Sequence, residues 1–207
     1  MQLHTLNAIA VLTFEPGEPY PRLSRAVMSE LGEILASLRS EDAFRGVVIA
    51  ANSNSFATGA EIEEIAALEG ICARELAAAG QGLFERIAHF PVPVIAAIRG
   101  FCMGGGFDLA LACHQRVATY GASFGHPGAS LGLMTGWGGT QRLSRWAGKS
   151  AALQILLTGE RIPATQALTL GLVHELTSSN DLVDCAARRA QRLADSWNAG
   201  CNAMQKI

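Results

Sequence analysis

Residues 101–114 read FCMGGGFDLALACH. Three glycines, Gly104, Gly105 and Gly106, stand in a row against an apolar helix-like run, and one carboxylate, Asp108, follows two residues later. The first turn of a helix presents N–H groups with no internal partner, at the positive end of the helix dipole. Glycine leaves such groups open to a ligand. The triplet therefore suits backbone donors aimed at an oxygen that carries negative charge. Close helix–strand packing or a tight turn is the other use of the same residues. A second stretch, SFATGAEI at 55–62, has the same character, with Gly59 and Ala60 between a strand and a helix start. Two loops that each offer one N–H make an oxyanion hole for an enolate or a tetrahedral intermediate, and losing one donor costs about 100- to 1,000-fold in rate.

Three further motifs point elsewhere. GASFG at 121–125 fits the G-x-S-x-G nucleophile elbow, which needs a helix that starts at the serine. Pro127 and Gly128 oppose that helix, so Ser123 is expected to be structural, with a serine hydrolase as the rival reading. AGKS at 147–150 resembles the end of a phosphate loop, but Leu143 stands where that loop requires glycine. Gly104 and Gly106 begin a dinucleotide fingerprint that fails at Leu109.

These residues need elements to hold them. Apolar runs at 7–14, 45–51, 93–98, 116–120 and 172–176 predict strands covered on both faces. A turn with three prolines is expected at 15–21, and a polar loop, NSNSFATG, at 52–59. Leu23, Val27, Leu31, Ile34 and Leu38 recur at helical spacing. Further helices are predicted over 73–89, 107–113, 138–146, 151–157, 164–170 and 181–197, and a glycine-rich turn over 100–106. Strands that alternate with helices give an α/β fold class.

The chain has 207 residues, 49% of them hydrophobic and 16% charged, with a net charge of −2. That composition predicts a packed core and excludes a basic nucleic-acid-binding surface. No apolar run is long enough for a membrane span, and the N-terminus lacks the basic start and cleavage site of a signal peptide. The five cysteines, Cys72, Cys102, Cys113, Cys185 and Cys201, have no metal-ligand spacing. A reducing, cytoplasmic setting is expected, with no metal site.

The blocks FATGAEI, PVIAAIRGFCMGGGFDLALAC, FGHP and LGLMTGWGGTQRL, in that order, resemble the crotonase superfamily, the enoyl-CoA hydratase/isomerase family. Weaker resemblance runs on through LTGERIPATQALTLGLVHEL. The resemblance implies a spiral of ββα turns over residues 1–176, and a C-terminal helical segment over 177–207 that is short for the family. It implies an acyl-CoA substrate, with coenzyme A as part of the substrate and no separate cofactor. It implies homotrimers or dimers of trimers. Carried over, the oxyanion-hole donors are Ala60 and Gly105, the acid/base is Asp108, and Ala57, Gly59, Gly104, Gly128 and Trp137 border the substrate. Core packing is the plainer expectation for Trp137.

Hydratases of the family use two glutamates around one water. Asp108 stands at the first position, one methylene shorter, and Gly128 stands at the second. An acid or base contributes about 100- to 10,000-fold, so the two-glutamate mechanism is not expected here. Asp108 acting alone suits isomerisation. Room at Gly128 suits a substrate carboxylate and decarboxylation, or an extra water. His126 is a candidate replacement base. Thr135 replaces the aspartate of ring-forming members, which disfavours ring closure. Arg22 and Arg25 fall in the region that borders CoA in relatives, with solvated surface arginines as the alternative, and His114 is expected to be structural or on the surface. A non-catalytic CoA-binding or assembly subunit is the reading from a different class.

Overall fold

The computed structural model describes residues 1–14, 19–41, 43–51 and 54–198. The predicted turn at 15–21, the polar loop from Asn52 and the end of the C-terminal segment, with Cys201, fall partly or wholly outside them. Among the described residues, nine strands and seven helices follow in order: β1 Gln2–Leu6, β2 Ile9–Phe14, α1 Arg25–Arg39, β3 Gly46–Ala51, α2 Ile62–Ala66, α3 Gly70–Ala88, β4 Val94–Ile98, β5 Phe101–Met103, α4 Gly105–Ala112, β6 Gln115–Thr119, β7 Ser123–Gly125, α5 Gly139–Thr158, β8 Ile162–Pro163, α6 Ala164–Thr169, β9 Glu175–Thr177 and α7 Leu182–Asn198. A 3-10 turn, Pro127–Leu131, follows β7.

The larger sheet has the order β1-β2-β3-β4-β6-β9, and the smaller one β5-β7-β8. From β2 to β9 the large sheet is parallel, and β1 closes one edge antiparallel to β2. Each turn of chain puts one strand in each sheet. β4 enters the large sheet and β5 the small one before α4; β6 and β7 repeat the step. In the preceding turn Ala57 takes the second place, as a parallel bridge to Cys102 of β5. This is a ββα spiral.

The apolar runs have a physical cause. Successive side chains of a strand point to opposite faces. Leu12, Val47, Ile49 and Ala96 enter the main core beneath α1, α3 and α4, while Val11, Val48, Ala50 and Ile95 enter a second core. Leu182, Cys185, Ala186, Ala190 and Leu193 of α7 cover that second face. Burying each large apolar side chain contributes about 1.5–3 kcal/mol. Small residues set the approach of α7: a Cβ on Gly46 would lie 3.0 Å from Cβ of Ala190.

Four boundaries differ from expectation. The strand expected at 7–14 begins at Ile9, because Asn7, at φ 53°, turns the chain in a two-residue hairpin between β1 and β2. β1 is mostly exposed and polar, so it carries no apolar run. Residues 100–106 contain β5 rather than a continuous turn. Leu172 and Val173 are not strand, since both donate their N–H to Ala167 O and close the end of α6. Helix α5 joins the two predicted helices across a break at Gly148, at φ 79° and ψ 161°.

Candidate active site

Each glycine of the triplet answers a different demand. Gly104 links β5 to α4 at φ 50° and ψ −124°, a backbone shape closed to other residues. A Cβ on Gly105 would lie 2.3 Å from the Trp137 ring, and one on Gly106 would lie 2.3 Å from Ala57 O. Helix α4 therefore starts pressed against two neighbours. Its remaining residues, Gly106 to Ala112, are buried all round, and Asp108 is 0% exposed.

The second loop meets the triplet directly. Gly59 has φ 101°, and a Cβ there would lie 3.0 Å from Gly105 N. Ala60 N lies 3.5 Å from the place of a Gly105 Cβ. Among the described residues no backbone acceptor takes the N–H of Ala60 or Gly105. The loop is held by Leu23 N donating to Gly59 O at 2.8 Å and by Arg22 pairing with Glu61 at 3.0 Å.

Both loops open on a cavity of about 450 Å³. Gly59, Ala60, Gly104, Gly105, Asp108, Gly128 and Trp137 all line it, and so does His126. Its other walls are mainly apolar, from Ile62, Ile65, Leu76 and Leu131 among others. Ala57 stands apart from this set. It is 0% exposed, outside the lining, and its carbonyl accepts from Met103 N at 3.0 Å, so it supports the triplet from below. Trp137 is wall and core at once: its ring meets Phe84 edge-on at 5.8 Å and its Nε1 donates to Leu76 O at 3.2 Å. Gly128 has room for a Cβ, which would meet only Leu133, at 3.4 Å.

Asp108 is the one carboxylate among the described lining residues. Burial pushes its carboxyl up from 3.8 to about 7. The Thr135 hydroxyl, which donates to Oδ2, pulls it back in part, as do Arg142 and the N–H groups of Trp137 and Gly139. Oδ1 closes no regular hydrogen bond and lies 3.4 Å from His126 Nε2, which closes none either. Burial alone pushes His126 down to about 4. A partly protonated carboxyl near neutral pH suits a group that both takes and gives a proton.

Other candidates fall outside the cavity. Ser123 begins β7, donates its N–H to Gly100 O, and is followed by a 3-10 turn rather than a helix, so the elbow geometry is absent. Arg22 is held by Glu61 and Glu63, and neither Arg22 nor Arg25 lines the cavity. His114 is structural: Nδ1 accepts from Val94 N at 2.9 Å and the ring packs on Trp197. The contacts of Asp108 with Thr135 and His126 join residues 27 and 18 positions away, and no local sequence pattern announces them.

Comparison with known proteins gives one consistent answer. The family model for enoyl-CoA hydratase/isomerase matches residues 4–207. The fatty acid oxidation complex subunit alpha of Idiomarina loihiensis is 42% identical over 189 residues, which are 89% of this chain and 27% of that protein. The same subunit of Shewanella loihica matches at the same identity and coverage. This chain thus spans about a quarter of the length of these curated relatives. The crystal structure of an enoyl-CoA hydratase from Bacillus anthracis superposes with a TM-score of 0.89 at 30% identity, covering 100% of this chain and 84% of that one. An enoyl-CoA hydratase subunit from Geobacillus kaustophilus gives 0.87 at 34% identity, covering 93% and 74%.

Proposed function

Because the chain belongs to the enoyl-CoA hydratase/isomerase family, we propose that it moves protons at the α-carbon of an acyl-CoA thioester through an enolate. The thioester oxygen sits between the N–H groups of Ala60 and Gly105. As the enolate forms, negative charge gathers on that oxygen, and two fixed donors at a mainly apolar wall stabilise it more than water does. Asp108 takes the α-proton or returns it. Coenzyme A arrives as part of the substrate, and the cavity takes the acyl chain.

The observation that carries this reading is the meeting of two unaccepted N–H groups and one buried carboxyl in a single cavity. Free thiols at Cys72, Cys102, Cys113 and Cys185 favour a reducing, cytoplasmic setting. No helix among the described residues is long and apolar enough to cross a membrane. Exposed Leu153 and Leu157, one turn apart on α5, suit self-association, and the family resemblance makes a homotrimer or a dimer of trimers the assembly we propose.

The test is mass spectrometry of a short acyl-CoA incubated with the protein in heavy water. Deuterium is expected at the α-carbon, and Asp108→Asn is expected to slow its uptake by about 100-fold or more. Binding of the thioester with no exchange, unchanged by Asp108→Asn, refutes the reading in favour of a non-catalytic CoA-binding subunit.

A further inference from the structure

Few groups in the cavity can move a proton. Among its described lining residues only Asp108 and His126 titrate. Their atoms Oδ1 and Nε2 face each other at 3.4 Å, both buried and neither closing a hydrogen bond of regular geometry. Leaving buried polar atoms unpaired is costly, so two of them side by side mark a place where a proton or a ligand atom belongs. His126 is fixed there by stacking on Phe107, with ring centres 5.3 Å apart, and by its position between β7 and the 3-10 turn. Gly128, two residues later, brings no side chain.

We propose that His126 is the second acid/base group of this site and works with Asp108 to add water across the double bond of an enoyl thioester. The proposal rests on the acyl-CoA reading above. The cycle begins with neutral imidazole and protonated Asp108, the forms that burial favours in both groups. The oxygen of a water molecule bonds to the β-carbon while His126 Nε2 takes one of its protons. The π electrons of the double bond shift to the thioester oxygen, held by Ala60 and Gly105. The enolate collapses as Asp108 gives its proton to the α-carbon. The proton on Nε2 then crosses to Asp108 Oδ1, which restores both groups. One water is consumed, and no electron or proton is left over.

Two readouts separate the roles: water gain by a short α,β-enoyl-CoA, and α-deuterium uptake by the saturated acyl-CoA. Wild type is expected to show both. His126→Gln keeps a polar end but cannot accept a proton, and His126→Phe keeps the stacked ring. Both variants, with fold checked by far-UV circular dichroism, should lose water gain by about 100-fold or more and retain α-exchange. Asp108→Asn should lose both activities. Adding Gly128→Glu to His126→Gln should restore water gain, because a Cβ there meets only Leu133, at 3.4 Å, and position 128 lines the cavity. The proposal is overturned if the His126 variants add water like wild type, if they lose both activities equally, if neither variant folds, or if wild type exchanges but adds no water. Wild type that does neither reaction instead overturns the acyl-CoA reading beneath it.

Discussion

The sharpest test of the Asp108 geometry is a single methyl group placed at Gly139. A Cβ there would lie 2.0 Å from Asp108 Oδ1 and 2.8 Å from Thr135 Cγ2. A carbon and an oxygen approach to about 3.3 Å at closest, so the carboxylate must retreat by roughly 1.3 Å or the start of α5 must shift. Helix α4 is packed on every side, which leaves the side chain as the part that yields. That swing breaks the alignment with Thr135 and moves Oδ1 off its target. Displacement by about 1 Å costs on the order of 100-fold in rate. Gly139→Ala is therefore expected to slow α-deuterium exchange by about that factor, mainly through kcat, because only the Asp108 side chain yields while the N–H groups of Ala60 and Gly105 belong to backbone that stays in place. Gly128→Ala is the matched control: its methyl meets only Leu133, at 3.4 Å, and exchange should stay near the wild-type rate. Unchanged exchange in Gly139→Ala, or an equal loss in Gly128→Ala, refutes the placement of the carboxylate.

Two further outcomes concern stability. Asp108 holds its proton more tightly folded than unfolded, so its contribution falls as pH rises from about 4 to about 7 and then levels off; His114, His126 and His174, pushed down to about 4, 4 and 3, act oppositely and lose stability as pH falls below 6.5. Asp108→Asn should thus raise the melting temperature at pH 8 and steepen the loss of stability between pH 6 and pH 4; a variant that melts lower than wild type at pH 8 contradicts the burial argument. The second outcome uses the contact between Gly105 and the Trp137 ring. Gly105→Ala should be destabilising in wild type and better tolerated beside Trp137→Ala, with a coupling of about 0.5–3 kcal/mol in a denaturant-unfolding cycle; strict additivity would show that the ring does not press on position 105.

Much of the architecture was legible along the chain. Uninterrupted apolar runs at β2, β3 and β4 announced strands covered on both faces, and the alternation of their side chains between two cores is the reason the runs are uninterrupted. Strand β1 leaves no mark in the sequence because an exposed edge strand needs no apolar pattern, and its turn depends on one residue, Asn7, in a left-handed conformation. β5 and β7 leave none because three-residue strands in glycine-rich segments are too short to show a period.

The sequence by itself determined which groups could serve: the small residues before Ala60, the triplet around Gly105 and the single carboxylate at Asp108. Those are local matters, decided by side-chain chemistry and spacing. The tertiary structure alone decided their company. It brought the loop at Gly59 against Gly105, lowered Trp137 over the triplet, kept Ala57 beneath it, and set Asp108 between Thr135 and His126. It also decided the protonation of that pair, because burial depends on what packs around a group. No spacing within one segment of chain encodes that.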